Sequence, residues 1–484
     1  MFRKKGLRPL KSTIILFIVI LIVPLFILLV ARAYFTAPPI CPEYKEIVKK
    51  AKSSENGYIY FEGALNIGRR IFCGYFEPIQ WYAHIRKSPE NFQFESDKVR
   101  LKHFSGYDFA MLYRFLVKEQ LIQDEFDKYS KYEYLFPVST EDKKKPNPCI
   151  TPEKDWKTDF LRHSQDVLNN IKKANQKDFF LPYRPSKTDP SKSSEWDILL
   201  IEFANILIYL EQGNYQSALD WLETFNQFLV CFDGAYNFNS IMAKHFLFVV
   251  RSVAIYPSLP DTFYEDLLCS LLNIKDEVKS KDFRTTYQKA LFFFEDYMVK
   301  EHETLMRGNF AQTMPKLLSM FLSYNDMSRS MDKHRPTFEA STWKDLEDAV
   351  FYNKGKLYDA IKDINSLRKR KICYEPNFWM FYSGKIWQDL LLEYNTALST
   401  LYGSILTVLL EQYHAKNGRY PDSLDEIING YFSEEELAWM DGYIDLCLSP
   451  ETYSIDYYPV PIRTQEPRKA EIFPLKKLYR IKGE

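Results

Sequence analysis

Residues 1–11 carry Arg3, Lys4, Lys5, Arg8 and Lys11 with no acid, and they run straight into an apolar block from Thr13 to Ala31. Such a block has to leave water, so it constrains the chain more than any other feature. At about 1.5 Å per residue, Ile14–Ala31 covers roughly 27 Å, close to the thickness of a bilayer's hydrocarbon core. Arg32 can snorkel at its far end, and Pro24 is tolerable in a membrane helix. The basic residues precede the block and the next one after Arg32 is Lys45, which by the positive-inside bias predicts a cytoplasmic tail (1–12), a transmembrane anchor (13–33) and an extracytoplasmic remainder. A cleaved signal peptide competes, because Ala31-Arg32-Ala33 has the small-x-small form. Signal h-regions run about 7–15 residues, however, so the uncleaved anchor is expected. Pro38-Pro39-Ile40 before Cys41 lacks the small residues that lipidation needs.

Lys plus Arg equals Asp plus Glu at 64 each, so no overall charge recruits nucleic acid, and none is expected as a partner. With 26% charged and 46% hydrophobic residues the chain is globular, and its length accommodates more than one core. The seven cysteines (Cys41, Cys73, Cys149, Cys231, Cys269, Cys373, Cys447) form no C-x-x-C pair, which argues against a zinc or redox motif. Their wide separation suggests buried thiols rather than a disulfide framework. The 37 Phe and 34 Tyr are spread along the chain, as expected for gap-filling between helices rather than a sugar-stacking surface.

Beyond the block, helical spacing dominates, and the predicted class is mainly α: a helical region over 34–390 with loops near 139–155 and 181–197, then a helix-turn-helix with short strands over 391–484. Both loops are rich in Pro, Ser, Lys and Asp. In the run from Trp196 to Phe232 an apolar helix is expected to end near Gly213. A second should follow with Ala218, Leu219, Leu222 and Phe225 on one side. "GNYQSAL" (213–219) and "GKLYDAI" (355–361) share a pattern that resembles the turn of a tetratricopeptide-type hairpin, but they lie too far apart for that family's ~34-residue period. The basic cluster Arg368–Lys371 reads as a solvated helix C-terminus in preference to a partner-binding patch.

The most organised stretch is "EQYHAKNGRYPDSLDEI" (411–427). Leu398, Leu401, Ile405, Val408, Leu409 and Tyr413 mark the buried face of a long helix. Gly418 is placed to end it in the left-handed conformation, Pro421 prevents resumption, and Ser423 with Glu426 has the capping-box form. Residues 395–430 are thus predicted to form two helices joined by a tight turn at Asn417–Pro421. Tyr420 would pack in the angle between them, beside Leu424 and Ile428. After Gly430, alternating Tyr, Ile and Val bounded by prolines suggest a few short strands, including one near "IFPLKKLYRIKG".

The segment resembles the helix-G-[RKE]-Y-P-x-S-L stretch of a broad set of uncharacterised bacterial membrane-anchored proteins, and more loosely the "NGRYP" of type II secretion major pseudopilins. The likeness covers about 30 of the 484 residues. Pseudopilins place this motif shortly after their transmembrane helix and begin with a G-F-T-L-x-E processing site, which this chain lacks. The resemblance implies the local fold and a bacterial envelope setting, hence a single-pass protein of the cytoplasmic (inner) membrane; it transfers no functional residue.

No catalytic signature is present. The chain has no G-x-x-x-x-G-K-[ST], no G-x-G-x-x-G after a strand and no G-x-S-x-G. His302–Met306 ("HETLM") starts like a zinc-protease helix, but Met306 stands where the second histidine ligand belongs. Ser330–Lys333 and Ser341–Lys344 match S-x-x-K without its companion elements. His84, His103, His163, His245, His302, His334 and His414 have no i, i+4 partners, so each is expected on the surface or as a satisfied core residue. No cofactor, metal or catalytic residue is assigned. The expected function is protein binding or scaffolding in the envelope; the alternatives are a hydrolase with a non-motif active site and a secretion-system accessory component.

Overall fold

A computed structural model describes residues 25, 27–28, 42–71, 156–181, 195–231, 242–243, 245–256, 258–280, 283–308, 312–313, 316–317, 330, 332–368, 384–428, 430–458 and 460–461. Loop 139–155, most of loop 181–197, the cluster 369–371 and the expected strand near 472–483 lie outside them.

The fold is mainly helical with one small sheet, but the expected transmembrane helix is overturned: no helix among the described residues is long and apolar enough to cross a membrane. Of 13–33, only Leu25, Ile27 and Leu28 are described, helical and exposed. The most apolar helix, Glu195–Glu211, shows why the described helices do not qualify. At 17 residues it falls short of the ~20 a span needs, and it carries Asp197 and Glu202 among its aliphatic residues. Its apolar surface is buried inside the protein instead. A fold containing a single-pass membrane span is therefore withdrawn.

In chain order the helices are α1 (Pro42–Ala51), α2 (Gly57–Ile71), α3 (Trp156–Asn175), α4 (Glu195–Glu211), α5 (Tyr215–Cys231), α6 (Arg251–Ala254), α7 (Asp261–Ser280), α8 (Phe283–Met306), α9 (Trp343–Phe351), α10 (Gly355–Arg368), α11 (Gly384–Asn417) and α12 (Glu434–Tyr443). A π-helical turn, His245–Val250, leads into α6. A 3-10 turn, Leu424–Glu426, precedes α12. Strands β1 (Ile444–Ser449) and β2 (Thr452–Tyr457) pair antiparallel, with Ile444 opposite Tyr457 and Ser449 opposite Thr452.

The chain divides into two compact units, residues 1–49 with 282–391 and residues 50–281 with 392–484. In the first, Phe283, Tyr287, Phe338, Leu346, Leu357, Ile364 and Trp387 form the core. Tyr287 stacks on Phe338 with centroids 4.8 Å apart, and Phe338 lies 4.9 Å from Trp387. Helix α9 starts on a capping box, Thr342 with Asp345, which satisfies amides its first turn would leave open.

The second unit holds the larger core. α2 packs on α3 and α4, and α5 packs on α3, α4 and α7. From Ile198 to Leu210 nearly every residue of α4 is buried, as an all-round apolar helix requires. The expected hairpin is present: Gly213 has φ +69°, and Ala218, Leu219, Leu222 and Phe225 are buried on one side of α5. The second copy of the pattern has the same local form, with Gly355 at φ +84° and Ala360 buried. Asn56 ties the loop before α2 to the end of the α3 region, donating to Ala51 O (2.8 Å) and Leu181 O (2.9 Å) and accepting from Leu181 N.

The expected burial of the cysteines fails at Cys269 and Cys447, which are free and exposed. On α7 and β1 they occupy solvent-facing positions of amphipathic elements. Cysteine's apolar character does not by itself direct it inward.

Candidate functional site

Helix α11 buries the predicted face with Leu401, Ile405 and Val408 at 0% exposure, but Tyr413 near its end is only half-buried. Its core-facing polar residues are satisfied within the helix. Ser399 donates to Asn395 O (2.6 Å), Ser404 to Thr400 O (2.8 Å) and Thr407 to Gly403 O (2.8 Å), so hydroxyls can enter the core without orphaned groups. The helix ends at Gly418 with φ +70°, a conformation that a side chain resists.

Beyond Gly418 the chain departs from the expected second helix. The Ser423–Glu426 capping box forms, with Ser423 Oγ accepting from Asp425 N and Glu426 Oε1 accepting from Ser423 N, both at 3.2 Å. It caps only the three-residue 3-10 turn. Continuous helix resumes at Glu434, behind a second capping box of Ser433 and Glu436. Glu426 is held below its ordinary pKa, first by the Tyr413 hydroxyl at 2.7 Å and then by the Ser423 amide.

Tyr420 is buried, and it packs at the junction of α11 with the β-hairpin rather than between two helices. Its amide donates to Pro450 O (3.0 Å), its ring stacks on His414 (4.5 Å) and meets Tyr453 edge-on (5.0 Å), and its hydroxyl donates to Glu411 Oε1 at 3.1 Å. The Tyr453 hydroxyl donates to the same oxygen at 2.8 Å. Burial, followed by the Glu411 charge, pushes the Tyr420 phenol well above its usual range, so it stays a donor.

The other concentration of polar groups lies deep in the second unit. Glu202 on α4 places Oε2 3.1 Å from His245 Nδ1, and His245 Nε2 lies 3.0 Å from Asn226 Oδ1 on α5. Asn226 Nδ2 donates to Ser270 Oγ on α7 at 2.9 Å. Glu202 and His245 are 0% exposed, and the imidazole stacks on Phe225. The carbonyl of Asn226 makes His245 Nε2 a donor, so Glu202 and Nδ1 share one further proton. Burial raises the pKa of Glu202, opposed by the charge and hydrogen bond of His245. Its Oε1 has no partner among the described residues, which favours the neutral carboxylic acid over a buried carboxylate. The array resembles the carboxylate-imidazole half of a nucleophilic triad, yet Nε2 faces an amide oxygen instead of a hydroxyl or thiol.

Of the remaining sequence candidates, Lys333 and His334 meet at one exposed carboxylate. His302 is buried, and His334 contacts exposed Asp363 at 3.2 Å, which Lys333 also binds. Ser341 donates to Thr337 O at 2.7 Å, as a helix-end hydroxyl does. His84 and His103 lie outside the described residues. Among the described residues, no group of three or more His, Cys, Asp or Glu could hold a metal ion. Sequence reasoning missed Glu202, Asn226, Glu411 and Tyr453; apart from the Glu411–Tyr420 contact, which spans nine residues, their partners come from other segments and leave no local pattern.

Comparison with models of known protein families, with curated proteins and with solved structures finds no match.

Proposed function

We propose that this chain is a binding or scaffolding protein, whose helical units present a surface to other proteins and whose polar clusters hold the fold. The supporting observation is the placement of three acidic side chains among the described residues. The Glu202–His245 pair is wholly enclosed, Glu411 is engaged by two tyrosine hydroxyls, and Glu436 is tied to a helix cap and two lysines. Each is committed to an internal partner, where a general base or nucleophile needs a face open to substrate. The hairpin α4–α5 and its counterpart α9–α10 are the sort of helical pair from which protein-binding surfaces are built.

The test is mild crosslinking of the chain in cells that express it, followed by purification and identification of what is held. A defined protein recovered in fixed proportion, and lost when the fold is disrupted, is expected. Recovery of the chain alone, together with hydrolytic turnover by the purified protein, would replace this reading with an enzymatic one.

A further inference from the structure

Arg251, the first residue of α6, is 6% exposed. Its guanidinium carbon lies 5.3 Å from the centre of the Tyr457 ring, and Tyr457, the last residue of β2, is itself 5% exposed. The Tyr457 ring is seated where Gly403 of α11 has no side chain; an added Cβ would run into the ring. Ser404 fastens the turn before α6 to the same helix by donating to Phe246 O at 3.0 Å. Both aromatic and cation are therefore held by α11, a rigid element.

Neither is satisfied. Arg251 Nε and Tyr457 Oη are enclosed and have no hydrogen-bond partner among the described residues. Arg251 opposes the rise that burial imposes on the Tyr457 phenol, by its charge and then by a side-chain contact, which leaves the Nε–H and Oη–H still without an acceptor. No carboxylate forms an ion pair with Arg251 among the described residues. Glu411 accepts from the neighbouring Tyr453 hydroxyl, and the charge of Asp456 adds to the rise of the Tyr457 phenol without pairing to Arg251. A ring face attracts a guanidinium but accepts nothing from an in-plane Nε–H. The Arg251 Nε–H is thus an enclosed donor without an acceptor, and beside it stands a second.

We propose that Arg251 and Tyr457 form a binding site for a small oxyanion, a carboxylate or phosphate group, which accepts from Arg251 Nε–H and Tyr457 Oη–H and pairs its negative charge with the guanidinium. The guanidinium selects for anions, and its planar fork suits two oxygens of one group. This site is independent of the scaffolding proposal, since a free anion or an anionic group of a partner would be held by the same atoms.

Calorimetric titration of the full chain with inorganic phosphate and with acetate, at constant ionic strength in chloride, tests it. One saturable site is expected for at least one of the two. Saturation by phosphate alone assigns a phosphate group, and saturation by acetate alone assigns a carboxylate. Arg251→Met should abolish the saturable heat. Tyr457→Phe keeps the ring over the guanidinium and removes only the hydroxyl, so it should weaken binding about tenfold and decides the matter if Arg251→Met does not fold. No saturable site for either anion, or wild-type affinity in Tyr457→Phe, would overturn the proposal.

Discussion

Glu202 Oε2 and His245 Nδ1 lie 3.1 Å apart in the core of the second unit, with both side chains at 0% exposure. Because Asn226 fixes His245 Nε2 as a donor, the pair is neutral when Glu202 is the acid. In Glu202→Gln the new amide can donate to Nδ1 as the acid does. Melting temperature at neutral pH should therefore change by no more than the equivalent of about 1 kcal/mol, whereas removing one partner of a buried ion pair costs about 3–5 kcal/mol. Glu202→Ala, which leaves a cavity and an unpartnered ring nitrogen, should be far worse than Glu202→Gln by the same measurement.

The pair also sets a direction for pH dependence. The folded pKa of Glu202 is raised, so the native chain binds its proton more tightly than the unfolded chain does. That contribution is complete below the ordinary carboxylate pKa and is lost as pH rises through the folded value. Denaturant titrations from pH 4 upward should show wild type losing stability relative to Glu202→Gln.

Glu436 acts with the opposite sign. Burial disfavours its charge, but the Ser433 amide at 2.6 Å and then Lys279 and Lys275 outweigh that and hold its pKa below the usual range. Its contribution is present above the unfolded carboxylate pKa and disappears as pH falls through the folded value. Glu436→Gln should cost stability at neutral pH and lose that deficit in acid, measured by unfolding midpoints in one pH series.

At the notch beneath Tyr457, Gly403→Ala forces the ring to move. Overpacking of this kind costs about 1–3 kcal/mol and should appear as a lower melting temperature, although alanine is the better helix former. A variant as stable as wild type would show that Tyr457 is not seated against α11.

How much of the fold was readable in the sequence depended on distance along the chain. The α4–α5 hairpin, the α11 face, Gly418 and both residues of the Ser423–Glu426 box were legible, because each rests on residues within a few turns of one another. The length of the second helix was misjudged, since a capping box starts either an α-helix or a single 3-10 turn. The burial of Tyr420 is legible in its motif but its neighbours are not, because Pro450 and Tyr453 arrive on a hairpin some thirty residues later. The Glu202–His245–Asn226 chain left no trace: its members sit on three segments, and α4 reads as apolar around its two buried carboxylates, Asp197 and Glu202. Apolarity misled in the other direction at residues 13–33, where composition alone suggested a span that no described helix provides.

If the 411–427 stretch and its contacts serve the fold, recognition is left to the folded surface. Melting temperature and recovery of crosslinked partner, measured together for Gly418→Val, Tyr420→Ala and Arg419→Ala, decide between the two roles. Gly418→Val should lose about 1–2 kcal/mol and Tyr420→Ala about 3 kcal/mol, with partner recovery falling only as far as the folded fraction falls. Arg419, exposed and paired with Asp422 at 2.8 Å, should be replaceable without loss of either. An Arg419→Ala protein that melts as wild type does yet no longer recovers the partner would contradict the structural role and make this stretch a recognition site.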